Sequence, residues 1–222
     1  EKAGARSFVM VGRGIEEKGW REAATALQQV NSRLATDGYA PICLTFVGSG
    51  DFLTKLKQEP EFADLPIHYV EAVDDVLPIL VKSDVGLLPS FFPQESLPTV
   101  VAEYLLCRVP AIVTKIGEAP AMLNSQAGEA GIVIGFSGGR ADVAALASAM
   151  YAYATKPSLF AEHRYRTTIA AKKFSVERML REYSELAGVD LCGSGLIEPS
   201  SGHFHPRVSH QPGICSRASL SS

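Results

Sequence analysis

The chain predicts an α/β domain: a doubly wound, parallel, six-stranded sheet flanked by helices. Three observations predict it. Its short strand-like runs are apolar throughout rather than alternating, as in strands buried on both faces. Each run is followed by a segment with helical spacing of apolar residues. Glycine, proline or serine punctuates the carboxyl end of most runs. The 222 residues, 46% hydrophobic and 20% charged, also hold enough apolar material for a substantial core.

Ser7–Val11 is the first strand, ended by Gly12. From Gly19 to Leu34, Trp20, Ala23, Ala24, Leu27, Val30 and Leu34 fall on one helical face, and Gly38 and Pro41 break the pattern. Ile42–Val47 is the second strand, closed by Gly48-Ser49-Gly50, with a short helix over Asp51–Gln58 and Asp51 as its N-cap. Ile67–Val70 is the third strand; Asp74–Lys82 reads as helix, with Pro78 tolerated in its first turn. Asp84–Leu88 is the fourth, stopped by Pro89-Ser90, and Leu97–Leu106 the helix after it. Pro110–Val113 and Gly131–Ile134 complete the sheet, and helices follow over Ala141–Thr155, Ser158–Lys173 and Val176–Leu186. Ligands of such sheets bind at the carboxyl ends of the strands. Attention therefore falls on Gly12–Gly19, Gly48–Asp51, Pro89–Pro98 and Thr114–Glu118.

Residues 1–187 form the predicted domain. Residues 188–222, rich in Ser, Gly and Pro and without hydrophobic period, are expected to be a disordered tail. A net charge of −3 gives no footprint for nucleic acid. No apolar run approaches the ~20 residues needed to span a bilayer. Residues 1–7 lack a signal-peptide core and lead at once into a strand, as if the chain were entered mid-protein. Four cysteines without a CxxC suggest a reducing, cytoplasmic compartment, with peripheral association at the membrane face conceivable through a further domain. Cys192, His203, His205, His210 and Cys215 match no zinc spacing, and no metal site is expected. His68 reads as a structural strand residue.

Two constellations carry chemistry. Gly12-Arg13-Gly14-Ile15-Glu16-Glu17-Lys18-Gly19 sets two cations beside the amino end of the following helix, an anion site suited to a diphosphate. The plainer alternative is a strand-to-helix turn with two solvated cations. In Glu95-Ser96-Leu97-Pro98-Thr99-Val100-Val101-Ala102-Glu103, Pro98 suits a first helical turn, with Ser96 or Leu97 as the cap. The amides at Thr99 and Val100 would then face the crevice. Glu95 and Glu103 would lie about 12 Å apart if both were helical. That is too far to share a proton but suited to holding two ends of one polyol ligand. The alternative is dipole complementation by Glu95 and an exposed Glu103, although the apolar neighbours of Glu103 argue against a solvated face. Val47–Asp51 is weak alone. After the fifth strand, Gly117 permits close approach of backbone to ligand, and Glu118 reads as a helix-start residue.

In this order the segments resemble glycosyltransferase family 4 (glycosyl transferases group 1), specifically the C-terminal, Rossmann-like half of its two-domain GT-B fold. Val11-Gly12-Arg13 with Glu17-Lys18-Gly19 resembles the family's GR…EKG loop, Phe46–Gly50 its VGxG turn and Asp84–Ser90 its AD…LPS strand. Glu95 to Glu103 is similar to its E-x7-E motif, and Arg108–Thr114 to the strand that follows, so the likeness runs over residues 7 to 187. The resemblance implies a retaining transferase that moves a sugar from a nucleoside-diphosphate sugar to a glycan, lipid or small-molecule acceptor, as in polysaccharide biosynthesis. Arg13 and Lys18 would neutralise the diphosphate without a metal or other cofactor. Glu95 would hold donor-sugar hydroxyls and Glu103 the ribose; with Arg13 and Lys18, Glu95 makes up the implied catalytic set. Gly12, Gly48, Leu97, Pro98, Thr99 and Val100 would line the donor. An N-terminal domain with the acceptor site would be the missing partner, leaving this chain an incomplete, inactive half. Two departures stand out: Leu97-Pro98 replaces Phe-Gly, and Cys107-Arg108 replaces a small residue and glycine. A non-catalytic transferase half used for assembly or regulation is the competing reading, and a GT-B epimerase or phosphorylase a more distant one.

Overall fold

A computed structural model describes residues 7–175 and residue 178. The fold described is the compact unit that ends at Ser175. Its elements are β1 (Ser7–Val11), α1 (Trp20–Thr36), β2 (Cys43–Val47), α2 (Asp51–Leu56), β3 (Ile67–Val70), α3 (Leu77–Leu80), β4 (Val85–Leu88) and α4 (Thr99–Leu106). Then come β5 (Ala111–Thr114), α5 (Ala119–Leu123), β6 (Gly131–Ile134), a two-stranded hairpin of β7 (Phe136–Ser137) and β8 (Arg140–Ala141), α6 (Val143–Thr155) and α7 (Pro157–Ala170). Apart from Arg178, the predicted helix over Val176–Leu186 and the predicted tail lie outside the described residues.

The strands form one parallel sheet in the order β3-β2-β1-β4-β5-β6. Chain order runs outward from β1 to β3, then restarts at β4 on the other side of β1. The crevice of a doubly wound sheet opens at that reversal, between the carboxyl ends of β1 and β4.

Strand apolarity reflects two cores. Phe8, Met10, Leu44, Phe46, Val85, Leu87 and Ile112 face one side with α1, α2 and α6. Val9, Val47, Leu88, Ala111 and Val113 face the other with residues of α3, α4 and α5. Successive residues of each strand thus enter opposite layers, so neither face can be polar. The carboxyl ends of β1 and β4 are tied by one side chain, Tyr104 of α4. Its hydroxyl lies 3.2 Å from the Leu87 carbonyl and 3.4 Å from the Val9 carbonyl, and accepts from the Val11 amide at 3.3 Å. Burial pushes the Tyr104 phenol up, so it stays protonated as a donor.

Several boundaries differ from expectation. The helix expected over Asp74–Lys82 is only Leu77–Leu80: Val76 holds its N-cap position, and just before it Asp75 Oδ1 accepts the Leu77 amide at 3.0 Å in a local turn. Asp51 is the first residue of α2, not its cap; Gly50 holds the cap position. Pro98 is not in the first turn of α4 but at its N-cap, with its carbonyl accepting the Val101 amide at 3.0 Å. Neither Ser96 nor Leu97 caps the helix, since the Ser96 carbonyl is taken by the Glu118 amide at 2.7 Å. Glu118 is the N-cap of the short helix α5, in keeping with a helix-start role. The β7–β8 hairpin and the single-turn 3-10 segment Glu16–Lys18 were not anticipated.

The chain leaves α4 through Arg108, whose φ is 59°. This is the left-handed C-terminal position at which glycine is usual and where the resemblance expects it. A side chain there costs about 1–2 kcal/mol, partly offset in a glycine by added unfolded-state entropy. Arg108→Gly is therefore expected to raise Tm by about 2–4 °C, measurable by thermal melting followed by circular dichroism. An unchanged or lower Tm would show that the arginine is relieved elsewhere.

Candidate functional site

The two candidate constellations meet across the crevice. After β1, the chain turns through Gly12–Gly14 and makes the 3-10 turn Glu16–Lys18. It enters α1 through Gly19, at φ 87°, where a Cβ would stand 2.1 Å from the Pro89 carbonyl oxygen. Only glycine lets the two loops approach so closely. From the far wall, Phe91 N donates to the Glu17 carbonyl at 2.8 Å.

At their meeting point Lys18 Nζ lies 2.5 Å from Glu95 Oε2, both side chains being nearly buried. The same carboxylate oxygen is 2.9 Å from Ser90 Oγ, whose single proton also has the Glu17 carbonyl within 3.2 Å. Ser90 is fully buried and is fixed from below by Thr114 Oγ1, which donates to its carbonyl at 2.5 Å. Two groups predicted for different parts of one ligand, a diphosphate and a sugar, are thus hydrogen-bonded to each other. Glu95 lies in the loop before α4, so the helical rise assumed from the sequence does not set its separation from Glu103.

Arg13 is exposed, makes no ion pair among the described residues and lies 5.2 Å from the centre of the Phe92 ring. Lys18 Nζ lies 5.6 Å from the same ring. Phe92 therefore braces both cations from one side, a cation–π arrangement that holds positive charge without neutralising it. The Arg13 carbonyl accepts from Trp20 Nε1 at 2.9 Å, which fixes the backbone beneath the guanidinium. Sequence reasoning passed over Phe91, Phe92 and Ser90; the aromatic pair between a strand end and Glu95 was the available signal.

The amides of Thr99 and Val100, at the start of α4, have no acceptor among the described residues, and Thr99 and Leu97 are exposed. Such amides favour an anion or a polar ligand oxygen. Pro98 is buried and gives no amide. Glu103 lies one turn further in, half-buried; loss of hydration pushes its carboxyl up, and its carboxylate has no cation or donor among the described residues. Donated hydrogen bonds from a ligand would offset that desolvation.

Two predicted glycines act on the scaffold. Gly48 is buried, and a Cβ on it would stand 2.0 Å from the Gly12 carbonyl, so it brings the β2 loop against Gly12. Gly117, expected to admit a ligand close to the backbone, instead admits the chain itself: a Cβ there would stand 2.0 Å from the Glu95 carbonyl and 2.5 Å from that of Ser96. Cys107 is a free thiol, and no helix among the described residues is long and apolar enough to cross a membrane. No group of three His, Cys, Asp or Glu side chains suited to a metal occurs among the described residues.

The fold matches that of GT-B glycosyltransferases. It is similar to Anabaena Alr3699/HepE, solved in complex with UDP, with a TM-score of 0.66 and 18% identity over 83% of this chain and 49% of that one. It is also similar to WaaG, a glycosyltransferase involved in lipopolysaccharide biosynthesis, with a TM-score of 0.65 and 16% identity over 82% of this chain and 46% of that one. At these identities the likeness concerns the fold. Among curated proteins, a putative teichuronic acid biosynthesis glycosyltransferase of Bacillus subtilis (strain 168), TuaC, is 33% identical over 114 residues, which are 50% of this chain and 25% of that protein. The chain spans about half the length of the solved structures it resembles. Residues 5–156, which include every candidate site residue, match the family described as glycosyl transferases group 1, and the chain belongs to that family.

Proposed function

We propose that this chain is the donor-binding half of a retaining glycosyltransferase that transfers a sugar from a nucleoside-diphosphate sugar to an acceptor. The observation that carries the reading is the pairing of two walls across the β1/β4 crevice. One wall offers Arg13 and Lys18; the other offers Glu95, the free amides of α4 and Glu103. Arg13 and Lys18 take the diphosphate, and Glu95 takes hydroxyls of the sugar beside it. Glu103, which lacks a partner among the described residues, takes the ribose hydroxyls. Negative charge accumulates on the diphosphate as the glycosyl bond breaks, so cations already fixed there stabilise the transition state more than the bound donor. The acceptor is bound by a further domain, which supplies the second side of the cleft, and the chain acts in a reducing, cytoplasmic setting. Complexes of HepE with UDP and with UDP-glucose, and family membership, support a nucleotide-sugar donor.

Calorimetry of the 222-residue chain with UDP and GDP, backed by NMR titration for millimolar affinities, tests the reading. Wild type is expected to bind one of the two, and Arg13→Ala to bind it about tenfold more weakly, the loss of one charge-assisted contact. A folded wild-type chain that binds neither, joined to its partner domain or alone, would favour the non-catalytic reading instead.

A further inference from the structure

The β7–β8 hairpin turns through Gly138 and Gly139, at φ 58° and 78°, a two-residue turn that leads directly into Arg140. Arg140 Nε lies 2.5 Å from Glu22 Oε1, and its Nη1 lies 2.8 Å from Glu16 Oε1. Its guanidinium also sits 4.6 Å from the centre of the Phe91 ring. These three contacts belong to different parts of the site's frame. Glu22, 4% exposed, is in the first turn of α1, and its other oxygen, Oε2, has no hydrogen-bond partner among the described residues. Glu16 opens the 3-10 turn that ends in Lys18. Phe91 begins the segment that leads through Phe92 to Glu95, and its amide is bonded to Glu17 in the middle of that turn.

We propose that Arg140 is a positioning residue of the donor site, a clamp that holds the Lys18 turn against the Phe91–Glu95 segment. The inference rests on the donor reading above. Arginine suits the place because its planar fork serves two carboxylates while its face lies on an aromatic ring, which a lysine ammonium cannot do at once. Arg140 does not reach Lys18 or Glu95 itself. Its effect is on their spacing, to which ligand binding is sensitive at the scale of an ångström.

The 222-residue chain carries one tryptophan, Trp20, whose indole N–H is bonded to the Arg13 carbonyl, so its fluorescence reports the β1 loop directly. The experiment compares wild type, Arg140→Met, Arg140→Lys and the double variant Glu22→Gln/Arg140→Met, which avoids stranding the buried carboxylate. UDP affinity, Trp20 emission and quenching, and Tm are read on each. Arg140→Met and the double variant are expected to bind UDP about tenfold more weakly and to shift Trp20 emission, with the double variant recovering Tm. Arg140→Lys, which keeps a cation between the carboxylates, is expected to come within about threefold of wild type. A double variant with wild-type UDP affinity and unchanged Trp20 emission overturns the proposal. Should the double variant not fold, Glu16→Gln decides: a shifted Trp20 spectrum with about two- to threefold weaker UDP supports the clamp, and wild-type behaviour overturns it. If folded wild type binds neither UDP nor GDP, the donor reading has failed on its own, and Trp20 emission alone tests the clamp by the same criterion; if it binds GDP alone, GDP replaces UDP as the probe.

Discussion

Lys18→Met is expected to destabilise the domain by about 2–3 kcal/mol and to abolish measurable UDP binding. The side chains of Lys18 and Glu95 are 12% and 10% exposed, so the pair sits largely out of water. Removing one partner of such a pair leaves the other charge buried, which is where most of the cost arises. After the substitution Glu95 would retain only the Ser90 hydroxyl, at 2.9 Å. The destabilisation should therefore be largely reversed in Lys18→Met/Glu95→Gln, where no charge is stranded. UDP binding should not return, because the cation proposed to meet the diphosphate is still missing. Chemical denaturation of the two single variants and the double variant forms a double-mutant cycle that reads the pair's coupling. A coupling near zero would mean that the ion pair contributes nothing to the fold.

Glu95→Gln should act on ligands in opposite directions. With the carboxylate neutralised, Lys18 no longer has an internal anion in contact, and a diphosphate meets less competition for it. UDP affinity is expected to rise about fivefold, close to 1 kcal/mol. The donor sugar, by contrast, loses hydrogen bonds to a charged acceptor, each worth about 1.5–3 kcal/mol. The advantage of UDP-glucose over UDP should consequently shrink by tenfold or more. Calorimetry with both ligands on wild type and Glu95→Gln measures the ratio. If UDP binds no tighter to the variant, Glu95 does not occupy the cation in the empty site, and the account of its competition with the diphosphate is wrong.

The sheet was legible in the sequence because burial on both faces forces continuous apolar runs, and all six strands lie within a residue of where those runs end. The helices next to β3 and β4 were less legible. Their starts depend on which group takes a particular amide or carbonyl: the Asp75 carboxylate for Leu77, and the Glu118 amide for the Ser96 carbonyl. Those partners are chosen by the folded arrangement, which local propensity does not encode. The candidate residues Arg13, Lys18 and Glu95 could be picked out by type and by place after β1 and β4, and Glu103 by its spacing from Glu95. That Lys18 and Glu95 touch is not readable at a sequence separation of 77 residues. Arg140 was invisible for a related reason. It lies in a short hairpin without hydrophobic period, and only the structure brings it to Glu16 and Glu22, more than a hundred residues earlier.

The loops after β1 and β2 are joined through their backbones: Gly12 N to the Val47 carbonyl at 3.1 Å, Gly14 N to Ser49 at 2.8 Å and Phe52 N to Gly14 at 3.2 Å. Loops at the open end of such a sheet are ordinarily its most mobile parts. Here the segment bearing Arg13 is already ordered by bonds that do not involve a ligand. Little conformational entropy then remains to be lost on that side when a donor arrives.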